Sequence, residues 1–229
     1  MLTRIDHVTI GVPGLDAGMA AFARIGFDVR RDRACALAPN EHDYLELVET
    51  GDFKDGIRGI ALASDDPATD AAAMRSRGTL EHVTLAQQTE APVAVRHPNG
   101  VLRLERVYIA VTDLAASAET YRRALGTPAP KIERGTVIMA DMAVFDFGGA
   151  GLTLAQPYGP GPAAEALARR GPGPFQALYR TRSMDAAARW MADHGVPPPA
   201  RGIRNTGEHA MLVPPQYACG AYIGFVGPA

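Results

Sequence analysis

The sequence repeats itself, and that repetition limits what the chain can fold into. Val8–Thr9–Ile10–Gly11–Val12, followed by Leu15 and a helical run to Gly26, returns as Val107–Tyr108–Ile109–Ala110–Val111, followed by Leu114 and a helical run to Gly126. A second pair matches in the same way. Ile60–Ala61–Leu62 leads through Ala71, Ala72, Ala73 and Met74 to Gly78, and Ala177–Leu178–Tyr179 leads through Ala187, Ala188 and Met191 to Gly195. Each unit reads as a short alternating strand, a turn, a helix closed by glycine and further short strands. A unit of roughly 50–60 residues is too small to bury a core of its own, so the copies must pack on one another. Function is expected in the clefts where they meet.

The first unit predicts a strand over 4–12, ended by Pro13 and Gly14. A helix over 15–26 follows, with Met19, Phe22, Ala23 and Ile25 on its apolar stripe, then strands near 27–31, 34–38 and 44–48. The second predicts a strand at 58–64, a helix at 67–77 and strands near 81–87, 91–96 and 101–105, with His97–Pro98–Asn99–Gly100 turning into the last of these. In the third, strands are expected near 136–140, 143–147 and 151–155. A loop rich in proline and glycine then runs from 157 to 174, with a short helix at 163–170. The fourth predicts a strand at 175–181, a helix at 184–194 and strands near 208–213 and 220–226. The units group as residues 1–105 and 106–229.

Charge excludes one class of partner. Lysine plus arginine number 23 against 25 acidic residues, with no basic run longer than a pair such as Arg30–Arg31, so a nucleic acid is not expected. The two cysteines, Cys35 and Cys219, have no metal-type spacing and read as small buried residues in a reducing compartment. Met1 leads straight into a strand, and no apolar run approaches the eighteen residues of a membrane span, so a cytoplasmic location is expected. No phosphate-cradling glycine loop, His-Glu-x-x-His or Gly-x-Ser-x-Gly elbow occurs.

Ile5–Asp6–His7–Val8, the turn Val12–Pro13–Gly14–Leu15–Asp16, the exit Ile25–Gly26–Phe27, and Tyr44–Leu45–Glu46–Leu47 are the most specific segments. Together with the repeated order strand–helix–strand–strand–strand, they resemble the vicinal oxygen chelate superfamily, in its glyoxalase-like branch. The resemblance implies an α+β fold of four βαβββ modules, paired into half-open mixed barrels with helices outside. It also implies a divalent metal (Zn, Fe, Mn or Ni) held inside by one residue on the first and one on the last strand of each module, acting on a small oxygen-bearing molecule.

Placed on this sequence, those positions are His7 and Glu46 in the first unit, Gly59 and Leu104 in the second, Arg106 and Thr153 in the third, and Gln176 and Gly224 in the fourth. Only His7 and Glu46 can bind metal, whereas a catalytic zinc takes three protein ligands and a non-haem iron site two histidines and a carboxylate. His82 or His97, or His42 beside Glu46, could supply the third. Equally, His7 could be a strand histidine hydrogen-bonded to Glu46. Arg106 could clamp a substrate carboxylate, or form a salt bridge with nearby Glu105 or an acidic residue such as Asp146. Two functions stay open: a metal-dependent isomerase, lyase or dioxygenase, and a non-catalytic module of the same fold that sequesters an organic compound, as bleomycin-resistance proteins do. A homodimer is one assembly open to either.

Overall fold

The computed structural model describes residues 1–32, 35–40, 42–50, 56–87, 95–197, 199–204 and 206–228. Fourteen strands lie in two mixed sheets among the described residues. The first sheet has the order β2-β3-β4-β1-β5-β6, from β1 (Leu2–Val12), β2 (Arg30–Asp32), β3 (Cys35–Pro39), β4 (Tyr44–Glu49), β5 (Gly56–Ser64) and β6 (Val83–Gln87). The second has the order β12-β13-β14-β11-β7-β10-β9-β8. Its strands are β7 (Val101–Ala110), β8 (Lys131–Gly135), β9 (Ala140–Phe147), β10 (Ala150–Pro157), β11 (Gly173–Thr181), β12 (Ala200–Ile203), β13 (His209–Val213) and β14 (Tyr222–Gly227). The helices are α1 (Leu15–Arg24), α2 (Pro67–Arg77), α3 (Leu114–Leu125), α4 (Pro162–Arg170) and α5 (Met184–Asp193). None is long and apolar enough to cross a membrane.

The repeat has a geometric counterpart. The opening strands of paired units run antiparallel, with Val8 opposite Ile60 in the first sheet and Val107 opposite Ala177 in the second. Each opening strand also has a parallel partner from its own unit: β1 with β4, β5 with β6, β7 with β10 and β11 with β14. Parallel neighbours need a crossover, which the helix of each unit provides. Helix starts follow local chemistry. Asp66, Asp113 and Ser183 accept hydrogen bonds from the amides of Thr69, Ala116 and Ala186, so three of the five helices carry a side-chain N-cap.

The second unit departs from expectation. The segment 101–105 does not close the first sheet. It runs on without a glycine or proline into 106–110 as the single strand β7 of the second sheet, placing Leu104 opposite Tyr179. The parallel partner of β5 is instead β6, which sets Ala61 against Thr84. The junction between residues 105 and 106 therefore lies inside a strand. Most of the strand expected at 91–96, and residue 34 of the one expected at 34–38, fall outside the described residues. In the third unit the strand comes earlier than expected, at 131–135, because Thr136–Met139 make the turn, with Met139 at a φ of 52°. The strand β12 was not anticipated.

A continuous apolar core joins the two sheets, and Phe27 stands at its centre, against Phe22 of α1, Tyr179 of β11, Phe225 of β14 and His97. The backbone is tied across the same place: Asn99 donates its amide N–H to Gly26 and its side-chain amide to the Ile25 carbonyl. Gly26 has a φ of 90°, and a Cβ there would lie 2.6 Å from the Asn99 Cβ. Gly26→Ala is therefore expected to destabilise the protein by about 1–3 kcal/mol, from left-handed strain and overpacking together. Urea unfolding checks this, and a change within about 0.5 kcal/mol would show that the junction yields.

Candidate functional site

Alternation along β1 divides its side chains between two faces. Val8 and Ile10 are fully buried in the core, and His7 and Thr9 look the other way. Along β4, Leu45 and Leu47 take the core side, leaving Tyr44 and Glu46 on the opposite face. Parallel register then sets His7 beside Tyr44 and Thr9 beside Glu46. The two residues singled out in the sequence thus converge: His7 Nε2 lies 3.7 Å from Glu46 Oε2.

Their neighbours fix them in place. The Thr9 hydroxyl donates to Glu46 Oε2 at 2.9 Å, and the Tyr44 ring stacks on the imidazole with centroids 4.5 Å apart. The register of β1 on β5 shifts between Ile5 and His7, so Asp6 and His7 escape strict alternation and meet, with Asp6 Oδ2 2.9 Å from His7 Nδ1. Burial raises the pKa of Asp6, but its bonds to His7 and Arg4 outweigh this and hold the carboxyl below its ordinary value. The Asp6 contact at Nδ1 fixes the ring so that Nε2 is the nitrogen turned toward Glu46. Across the sheet Gly59 stands opposite Thr9, and a Cβ there would meet nothing within 4 Å, so the space before the pair is open on that side.

Cys35, read from the sequence only as a buried filler, is half-buried beside this group. Burial, then the charges of Glu46 and Asp32, push its thiol up, so it stays protonated and a poor nucleophile. Asp6 and Thr9 were also missed. The signal for Asp6 was its place directly before His7, and that for Thr9 was its phase, two residues on.

The other sequence candidates lie elsewhere. His97 is buried with both ring nitrogens engaged: Nδ1 accepts the Asp28 amide at 3.0 Å, and Nε2 lies 3.0 Å from Asn40 Oδ1. His82 faces Gly173 in a cleft between the two halves, and His42 is exposed. Among the described residues no three His, Cys, Asp or Glu side chains come together as a metal site. His7 and Glu46 supply two donors, one short of a catalytic zinc or a facial triad.

The corresponding place in the second half-barrel is differently built. The register that sets Thr9 beside Glu46 also sets Tyr108 beside Thr153 and Leu178 beside Gly224, so His7, Arg106 and Gln176 occupy equivalent places. In the second unit the matching last-strand place is Thr84, not Leu104. Arg106 pairs with neither Glu105 nor Asp146 but with Glu133 of β8, at 2.8 and 3.5 Å. Burial raises the Glu133 pKa, yet Arg106 and Lys131 together bring it down to about 2. Thr153 Oγ1 and Gln176 Oε1 are buried without a partner. Tyr108, Met142, Phe175, Leu178 and Tyr222 fill the interior, with α4 packed on it through Ala163 and Ala166. The space left beside Arg106 and Gln176 is about 50 Å³, enough for a water or two to serve such orphaned atoms.

A family profile described as the Glyoxalase/Bleomycin resistance protein/Dioxygenase superfamily matches residues 105–213. Residues 105–213 are thus similar to a glyoxalase-like domain of that superfamily. Similar folds extend over its whole length. A mutant of 4-hydroxymandelate synthase from Streptomyces coelicolor superposes with a TM-score of 0.73 at 14% identity, over 100% of this chain and 93% of the other. A xylose isomerase-like TIM barrel/4-hydroxyphenylpyruvate dioxygenase fusion protein gives 0.65 at 12% identity, over 99% of this chain and 49% of the other. Methylmalonyl-CoA epimerase from Mycobacterium tuberculosis gives 0.51 at 27% identity, over 57% of this chain and 90% of the other. No curated protein matches the chain by sequence. What these structures share with it is the arrangement of paired modules.

Proposed function

We propose that this protein is an enzyme that transfers a proton on a small oxygen-bearing organic molecule, at the concave face of the first sheet. The observation that carries the reading is the line Asp6–His7–Glu46: a carboxylate fixes the imidazole, whose free nitrogen faces a second carboxylate across 3.7 Å. His7 Nε2 takes a proton from a carbon next to a carbonyl, Asp6 stabilises the imidazolium that forms, and Glu46, held by Thr9, hydrogen-bonds to it. Returned to a neighbouring carbon, the proton gives isomerisation; protonation of the opposite face of the same carbon, by Glu46 in its acid form or by solvent while His7 keeps the abstracted proton, gives epimerisation. The likeness to an epimerase supports that class. The described residues offer two metal donors and not three, so chemistry by the acid–base pair fits the donor set better than a metal centre does.

Deuterium incorporation from D2O tests it, followed by NMR on pyruvate, dihydroxyacetone and methylmalonyl-CoA. The expected result is catalysed exchange next to the carbonyl of at least one probe, insensitive to EDTA and slowed about a hundredfold in His7→Ala. Exchange on none of the three, an unchanged rate in His7→Ala, or a rate abolished by EDTA and restored by Mn or Ni would each overturn it.

A further inference from the structure

A cleft of about 870 Å³ opens between the start of β5, the turn into β6, the C-terminal end of α4 and the Gly171–Phe175 segment. It shares Ala166 and Phe175 with the packing of the second half-barrel but neither Arg106 nor Gln176, and its volume is that of an ordinary small-molecule site. Ile57 and Phe175, each 1% exposed, close it from below, and the exposed ring of Pro172 gives it an apolar wall. Its walls carry Arg58, Arg169, Arg170 and His82 against a single carboxylate, Glu81, in a chain whose net charge is −2. A positive concavity on a slightly negative molecule concentrates anions.

The cationic wall is held in position. Arg169 donates to the Gly220 carbonyl at 3.1 Å and Arg170 to the Ile57 carbonyl at 3.2 Å, so both reach from α4 across the cleft's edges. Two glycines leave them room. A Cβ on Gly56, whose φ is 104°, would lie 2.1 Å from Arg170 Nη1, and one on Gly173 would lie 3.1 Å from His82 Nε2. A guanidinium carries five donors, and the Gly220 contact of Arg169 uses one, so its fork can still meet two oxygens of an anion.

We infer that this cleft binds an amphipathic organic anion, its carboxylate or phosphate against Arg58, Arg169 and His82 and its apolar body along Pro172, above Ile57 and Phe175. The inference does not rest on the proton-transfer reading, since the cleft and the His7–Glu46 pair share no residue.

Titration of phenyl phosphate, benzoate and benzyl alcohol into the protein with ¹³C-labelled isoleucine methyls tests it. Saturable shifts of the Ile57 methyl are expected with one or both anions and not with benzyl alcohol. The stronger anion identifies the headgroup. Affinity should fall at least tenfold in the double variant Arg58→Gln/Arg169→Gln and persist in His7→Ala. No saturable shift with either anion, equal binding of benzyl alcohol, or unchanged affinity in a double variant whose melting matches the parent would overturn it.

Discussion

Phe27→Ala is expected to cost about 3–5 kcal/mol, against a total stability of about 5–15 kcal/mol for a protein of this kind. The ring is 1% exposed and meets four others, with centroids at 5.2 Å for Tyr179, 5.4 Å for His97, 5.8 Å for Phe22 and 6.2 Å for Phe225. Removing it leaves a cavity that rigid strands on two sides cannot collapse into. These partners belong to both halves of the chain, so the halves should unfold together and the loss should appear as a shift in urea midpoint with an unchanged slope. Phe27→Leu should cost clearly less, because it keeps most of the volume. A loss under about 1 kcal/mol in the alanine variant would show that the halves are held elsewhere.

Stability is also expected to fall as pH rises through about 6, because of Asp43. Its carboxyl is 5% exposed and accepts from the Leu104 amide at 2.8 Å and from Asn40, and Asn40 in turn meets His97. Burial pushes its pKa from 3.8 to about 6, outweighing those two hydrogen bonds and the charges of Arg103 and His42. The folded pKa lies above the unfolded one, so the folded state binds more protons across the interval. The contribution is full below about 4 and lost as pH rises through about 6. Two units are worth about 3 kcal/mol in all, of which about 2 kcal/mol falls between pH 4.5 and 7. Other carboxylates titrate in the opposite sense, Asp6 and Glu133 among them, so the measurement is a difference. Unfolding free energies of the parent and Asp43→Asn at both pH values should differ in their pH dependence by about 2 kcal/mol. A parallel pH response in the two proteins would sink the assignment.

Much of the architecture was legible in the chain because strand alternation and helix periodicity are local signals. Val8–Val12 and Val107–Val111 announced equivalent strands, and Pro13 and Gly126 sit at the ends of elements as expected. The shared face of His7 and Glu46 followed from alternation, which β1 keeps from His7 onward and β4 keeps throughout. Leu104 failed for a different reason. Nothing between Val101 and Ala110 marks where one unit ends, and the choice between two sheets was made by pairing with β11, a strand seventy residues away. For Arg106 an ion pair with an acidic residue was legible but its partner was not, since Glu133 belongs to a strand that the sequence placed five residues too late.

By itself, then, the sequence determined the repeated unit and the face on which His7 and Glu46 lie. These rest on interactions between residues a few positions apart. Only the tertiary structure decided that Asp6 orients His7, that the second half-barrel is filled by its own side chains, and that arginines of α4 face β5 across a cleft. Each depends on a register shift, a packing volume or a contact between distant segments, and those are set by the free energy of the whole core rather than by any stretch of chain.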